Sequence, residues 1–362
     1  MIQVYFATNR EISLNGGSPE FGNAFNLNSP HNLRFGWAKV REKSEDDYVV
    51  TSIHVTEDPT TPEFDSRKLS KGTVVGSKGT FETIRKEMED GKCDVLCFIH
   101  GYASDFKTTL ARTAEISANY STAEKRVIGF VFSWPSNGRM LPMIDYYLDR
   151  DDAKASGFAI ARVYQLLVDF LRNLPTEDYC QQAIHLLAHS MGNWALGNAL
   201  DDIVEIYNGA PPRLFDQVFL MAADADNNAM EKGMRLERLP DICKGINIYF
   251  SQDDRALMIS DVTKFNRDRL GATGPRYRDN LDRKVTLVDC QYVDTPDRSS
   301  EEPGKRWDLS VHQYYRLRHE VIEDVQQVLS GIAPGGVQGR RYLQEDRSFQ
   351  VVPFNLRPQG TG

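Results

Sequence analysis

Residues 185–196, HLLAHSMGNWAL, change character at Ser190. An apolar run of the kind that forms a buried strand leads up to the serine, and a stretch of helical character, GNWALGNALDDIVEIYNG, leads away from it. A strand that passes straight into a helix forces a strained backbone on the connecting residue. Small residues two places to either side keep the two elements from colliding. Ala188 and Gly192 occupy those places. Such a turn lifts the hydroxyl out of the sheet and leaves the next amide, that of Met191, at a helix N-terminus, where developing negative charge is stabilised. A serine that only caps a helix would leave a similar trace, so the surroundings decide the reading.

Working outward, strand and helix alternate in both directions. Helix-like TFETIRKEMEDG precedes apolar DVLCFIHG, DFKTTLARTAEISANY precedes RVIGFVFSWPS, and DDAKASGFAIARVYQLLVDFLRNL precedes AIHLLAHS. Beyond Ser190 come the strand candidates FDQVFLMAADAD, GINIYFSQDD and KVTLVDC, and a last helix, HQYYRLRHEVIEDVQQVL. Short continuous apolar strands alternating with helices predict a mostly parallel sheet covered on both faces, an α/β protein. Residues 1–60 add β signals: IQVYFAT, then RFGWAKV and YVVTSIHV joined as a hairpin across REKSEDD, after a loop rich in Gly, Asn and Ser. The expected organisation is one domain over residues 1–330, with strands and a hairpin in 1–60 and the core in 79–330. The Gly- and Pro-rich residues 331–362 are expected to form a surface arm.

Composition narrows the classes of function. The 362 residues, 41% of them hydrophobic, suffice for a sizeable core. A net charge of -8, with 43 Lys and Arg scattered among 51 Asp and Glu, argues against a nucleic-acid partner. The longest apolar runs, VLCFI and VIGFVF, fall far short of the roughly 18 residues that a membrane helix needs. The start, MIQVYFATNREI, reads as a strand rather than a signal peptide, which predicts a cytoplasmic protein. Cys93, Cys97, Cys180, Cys243 and Cys290 are odd in number and widely spaced, a pattern of buried thiols. No metal or cofactor is expected: His185 and His189 lack the Glu of a helical HExxH motif and lie in a strand, and no G-x-G-x-x-G turn follows the first strands.

A serine hydroxyl becomes nucleophilic only beside a general base, and the base needs a carboxylate to orient it. On strand-turn-helix serine folds of this kind the chain order is Ser, acid, His. Only His312 and His319 follow Ser190. His312 stands where the polar loop GKRWDLSV meets the last helix. His319 falls among Arg316, Glu320 and Glu323, opposite the apolar face of Leu317, Val321, Val325 and Val328, and is expected on the surface. For the acid, YFSQDDRAL offers Asp253 and Asp254, which leave the strand end in different directions. Asp224 and Asp226, one strand earlier, are the alternatives, with helix capping as their simpler role. A second oxyanion donor is expected from FIHGYASDF, where Gly101 lets the backbone approach and the Tyr102 amide can face the serine. His100 precedes the serine and is expected to be a structural histidine.

With these residues in place, the sequence resembles a bacterial family of esterase/lipase-like serine α/β hydrolases of largely unassigned function. The resemblance runs over roughly residues 3–330 and rests on VYFATNR, FIHGYASDF, FSWPSNG, YYLDRDDAKAS, HLLAHSMGN, AADAD, YFSQDDRAL and HQYY, in that order. It implies an α/β-hydrolase fold with Ser190 as nucleophile, Asp254 as acid and His312 as base. Two departures stand out: Trp194 follows AHSMGN where a basic residue is expected, and RMLPMIDYY is longer than the usual link. That link carries apolar residues at the carboxyl end of a strand. Trp134, Met140, Leu141, Met143, Ile144 and Tyr146 therefore either form a lid or acyl-binding wall or simply pack under the loop.

The implied activity is hydrolysis of a small-molecule or lipid-like acyl ester through an acyl-enzyme. Thioester hydrolysis, amide hydrolysis and acyl transfer use the same parts. A non-catalytic binding module on the same fold is the competing class, and it ordinarily follows loss of a triad member. None is missing from this chain.

Overall fold

The computed structural model describes residues 1–15, 18–26, 33–44, 47–61, 69, 74–136, 144–254, 256–257, 268–293 and 310–357. Its strands are β1 Ile2–Thr8, β2 Arg10–Asn15, β3 Ser18–Phe25, β4 Arg34–Ser44, β5 Asp47–Val55, β6 Asp94–Ile99, β7 Val127–Ser133, β8 Ile184–His189, β9 Phe215–Met221, β10 Cys243–Phe250, β11 Val285–Asp289, β12 Arg340–Leu343 and β13 Ser348–Val351. The longer helices are α1 Gly76–Gly91, α2 Phe106–Tyr120, α3 Ile144–Ala155, α4 Gly157–Arg172, α5 Gly192–Ile206 and α6 His319–Leu329.

Eleven strands form one sheet in the order β12-β13-β11-β10-β9-β8-β6-β7-β1-β4-β5, and β2 pairs with β3 apart from it. From β13 to β1 all neighbours run parallel. Antiparallel β12 closes one edge, and the β4–β5 hairpin closes the other. β6, β7 and β8 are buried almost throughout, as strands covered on both faces must be. Helices α1, α4 and α5 pack on one face through Phe81, Ile160 and Leu196, and α2 and α6 on the other through Phe106, Leu110, Val321 and Val325. This is the α/β-hydrolase fold. β8 lies near the middle of the sheet, so whatever stands at its carboxyl end is flanked by the ends of β6 and β9.

One expectation from sequence differs in outcome. Residues from 331 onward do not only form an arm, because β13 pairs parallel with β11 and β12 pairs antiparallel with β13. These strands are four residues each, too short to stand out from the Gly and Pro around them. All five cysteines are thiols, with Cys93, Cys243 and Cys290 buried and Cys97 and Cys180 half-buried.

The segment after His312 is anchored by its aromatic pair. Tyr314 and Tyr315 are fully buried. The Tyr314 hydroxyl accepts from the Ala222 amide at 2.8 Å and donates to the Tyr249 carbonyl at 2.9 Å, tying the residue to the ends of β9 and β10. Tyr314→Phe leaves both backbone groups buried without that partner, and a loss of about 1–3 kcal/mol is expected in urea denaturation. An unchanged midpoint and slope would show that the bridge contributes nothing.

Candidate active site

Ser190 follows β8 directly and has φ of 52°, left-handed backbone that a residue with a Cβ adopts only when its surroundings hold it there. Those surroundings are explicit. The Ser190 amide donates to Met221 O at 3.0 Å, and its carbonyl accepts from the Asp224 and Asn193 amides at 3.1 and 3.0 Å. A Cβ on Gly192 would sit 2.3 Å from Ile99 O and 2.7 Å from His100 O, so the start of α5 passes too close to the end of β6 for any larger residue. Ala188, on the other side, is fully buried opposite Ile99. The smallness of these two positions therefore has a steric cause. Met191, with φ of -60°, opens the first turn of α5, where amides have no intrahelical acceptor.

The loop after β6 lies against this turn. A Cβ on Gly101 would fall 2.8 Å from the Ser190 Cβ and 3.1 Å from His189 Nδ1. Tyr102 comes next, half-buried, with Ala103 at φ of 56° behind it. Burial, then Asp149 and Asp145, push the Tyr102 phenol up to about 12, so it stays neutral near pH 7.

His312 and Asp254 meet at the same end of the sheet. His312 Nδ1 donates to Asp254 Oδ2 at 2.7 Å, with the carboxylate fully buried. The other oxygen, Oδ1, accepts from the amides of Ala256 and Leu257 at 3.1 and 3.2 Å, which fixes the carboxylate plane. The His312 carbonyl accepts from His189 Nε2 at 2.9 Å, linking the histidine loop to the residue just before Ser190. Among the described residues no hydrogen bond joins Ser190 Oγ to His312. Such contacts commonly close only when substrate is bound.

The other acids have different partners. Asp253 is half-buried, and its amide bonds Ser251 Oγ at 3.3 Å. Asp226 pairs with Arg269 at 2.5 Å, and Asp224 lies 3.4 Å from Arg269 and 3.8 Å from Arg150. Asp224 also accepts from the Tyr146 hydroxyl at 2.5 Å. Asp224 and Asp226 are thus both ion-pair partners of Arg269.

The expected lid residues separate. Trp134 does not line a cleft: it is fully buried, stacks on His100 at 4.8 Å between ring centroids, and donates its indole N–H to His100 O at 2.9 Å. It thereby packs beneath the start of the Gly101 loop. Tyr146 faces Tyr102 edge-on at 5.9 Å, and its hydroxyl donates to Asp224, whose amide in turn bonds Ser190 O. Met140, Leu141 and Met143 lie outside the described residues, as does the side chain of Ile144. Trp194, on α5, has the guanidinium groups of Arg150 and Arg235 at 3.6 and 4.7 Å from its ring, so the expected basic residue is replaced by a ring that two arginines cover.

Four other histidines have different surroundings. His100 Nδ1 donates to Gly101 O at 2.8 Å, and burial, with Arg10 adding, keeps it neutral well below the ordinary histidine range. His189 is likewise held neutral by burial, then by His312. His185 bonds Asp94 at 3.1 Å, and His319 is exposed. Among the described residues no group of three or more His, Cys, Asp or Glu is arranged to hold a metal ion, and no helix is long and apolar enough to cross a membrane.

Sequence reasoning gave no role to the supports. Arg10 is fully buried, and its guanidinium donates to Ser104 O at 2.8 Å, Ser136 O at 3.3 Å and Ser133 Oγ at 2.9 Å. Asp149 accepts from Ser136 Oγ at 2.5 Å and from the Ala103 amide at 3.3 Å. Together they clamp the Tyr102 loop. Both belong to motifs of the resemblance, ATNR and YLDRDD, which were the available signal.

Comparison with known proteins agrees with this architecture. The family described as "Alpha/beta hydrolase of unknown function (DUF900)" matches residues 78–304. An uncharacterized protein of Nostoc, alr1448, is 26% identical over 185 residues, which cover 43% of this chain and 45% of that protein's length. Among solved structures, lipase B of Aspergillus fumigatus is similar at 11% identity and a TM-score of 0.39, over 74% of this chain and 59% of that one. A Trichoderma reesei cutinase aligns at 13% identity and a TM-score of 0.25, over 42% of this chain and 67% of that one. With the family match spanning well over half of the sequence, including β6 through β11 and the Ser190 turn, the chain belongs to this α/β-hydrolase family.

Proposed function

We propose that the protein is a serine esterase that cleaves a small-molecule or lipid-like acyl ester through an acyl-enzyme. The observation that carries the reading is the buried His312–Asp254 pair at 2.7 Å, standing at the same sheet end as the left-handed turn at Ser190. Asp254 holds the Nδ1 proton, which leaves His312 Nε2 as the basic nitrogen. His312 then takes the Ser190 proton as Oγ attacks the ester carbonyl. The Met191 and Tyr102 amides receive the oxyanion, and the alcohol leaves with the proton from His312. Water, activated by the same histidine, releases the acyl group. Trp134 and the Arg10–Asp149 clamp keep the Tyr102 loop in register without touching substrate.

The test is labelling with a fluorophosphonate at pH 7, followed by peptide mass spectrometry. Modification confined to Ser190, and lost in His312→Ala, is the expected result. Labelling elsewhere, or none in folded protein, removes the reading. A panel of nitrophenyl esters, thioesters and anilides then separates ester hydrolysis from its chemical relatives.

A further inference from the structure

A cavity lies at the opposite end of the sheet. It measures about 550 Å³ and opens between α1 and α4, at the amino ends of β6, β8, β9 and β10. Along the six residues of β8 this is about 20 Å from Ser190. Protein interiors seldom keep voids much larger than a water molecule, and this volume falls in the range of ligand pockets. Its walls are Phe81 and Ile84 of α1, Leu167 and Phe170 of α4, and Phe130 and Cys97 of the sheet. Cys97 sits mid-strand yet is only half-buried, because the opening reaches it. A second void of about 50 Å³ shares Cys97, Phe130, Leu167, Leu214 and Phe215 with the first and continues inward among Ile99, Leu186 and Leu196. An apolar path thus narrows away from the surface.

The mouth has the opposite character. Arg85, Lys125, Arg213 and Lys244 line it with one carboxylate, Asp216. Two of these cations are committed: Arg85 bonds Glu82, Glu89 and the Asp178 carbonyl, and Lys125 pairs at 2.5 Å with Asp94, which is buried. Arg213 is exposed. Lys244 is 66% exposed in a pair with Asp216, the type of surface pair that exchanges partners at little cost. Cations at the rim of a narrowing apolar channel match a single aliphatic chain that ends in one negative charge.

We infer that this cavity is a binding site for a fatty acid of about twelve carbons, with the aliphatic chain against Cys97, Phe130 and Leu167 and the carboxylate at Arg213 and Lys244. The site is independent of the chemistry at Ser190. A chain of this class held under α1 and α4 would brace those helices against the sheet.

The experiment is calorimetric titration of the 362-residue Ser190→Ala protein with dodecanoate, which removes turnover from the measurement. Saturable one-to-one binding is expected. It should weaken at least about tenfold in the double variant Arg213→Glu/Lys244→Glu and with 1-dodecanol as ligand. Binding should be lost in Cys97→Phe, which fills the channel, and in Leu171→Trp, which adds bulk to the α4 wall of the cavity. Absence of saturable binding overturns the inference. So does binding that survives both filling variants, which would locate the ligand elsewhere, or dodecanol binding as tight as dodecanoate. A lysophospholipid that binds more tightly than dodecanoate would also overturn it. None of these outcomes depends on whether Ser190 reacts with a fluorophosphonate.

Discussion

Ser190→Ala is expected to lower kcat for nitrophenyl ester hydrolysis by about 10⁵–10⁶-fold, leaving only what the oxyanion donors and substrate binding supply. The fold should survive the change. Alanine meets the same left-handed backbone at φ of 52° as serine does, and the hydrogen bonds that define the turn run through its amide and carbonyl. Thermal unfolding should therefore shift little. Ser190→Gly, which accepts that φ without a Cβ, should be equally inactive and more stable than Ser190→Ala, by up to about 1 kcal/mol. This pair of variants separates chemistry from strain: the serine is kept at a backbone position that disfavours it. Retention of more than a hundredth of the activity in Ser190→Ala would assign the nucleophile elsewhere.

Asp254→Asn is expected to cost about 10³–10⁴ in kcat with little change in KM. One carboxylate oxygen accepts from two backbone amides and the other from His312 Nδ1. An asparagine has a single oxygen. If that oxygen stays with the amides of Ala256 and Leu257, the NH₂ group faces His312 and drives the proton to Nε2, the nitrogen that must accept from Ser190. The loss therefore comes from the wrong tautomer in intact geometry. Asp224→Asn should behave differently, because Asp224 faces Arg269 and Arg150. Weakening those buried ion pairs should cost stability first and activity only as a consequence. Comparing kcat with the urea midpoint for both variants decides the matter. Equal catalytic losses, or a larger loss in Asp224→Asn, would remove Asp254 from the orienting role.

Some features were legible in the chain because they depend on neighbours in sequence. The alternation of apolar runs with helical periodicity specified a parallel sheet covered on both sides, and the small residues Ala188 and Gly192 marked the turn at Ser190. The order of Ser190, the Asp253–Asp254 pair and His312 was equally visible. The choice between Asp253 and Asp254 was not local, since it depends on which side chain meets a histidine 58 positions away. The supports were hidden for the same reason. Arg10 reaches Ser104 and Ser136 across 94 and 126 positions, and no periodicity announces such a contact. Sequence left Trp134 open between a wall and packing under a loop, because its apolar surroundings in sequence are the same in either place.

The short strands β12 and β13 illustrate the limit from another side. Four residues carry too little pattern to be read, and only the open edge of β11 makes them strands. The sequence by itself determined the succession of elements, the strained turn at Ser190 and the residue types available for chemistry, because each rests on local sterics and hydrophobic period. Local pattern left Asp253 and Asp254 open and the family resemblance pointed to Asp254; the tertiary structure alone decided what holds the Tyr102 loop and that a cavity opens at the far end of the sheet. Those properties arise where distant segments pack, and packing is settled by the shape of the whole chain.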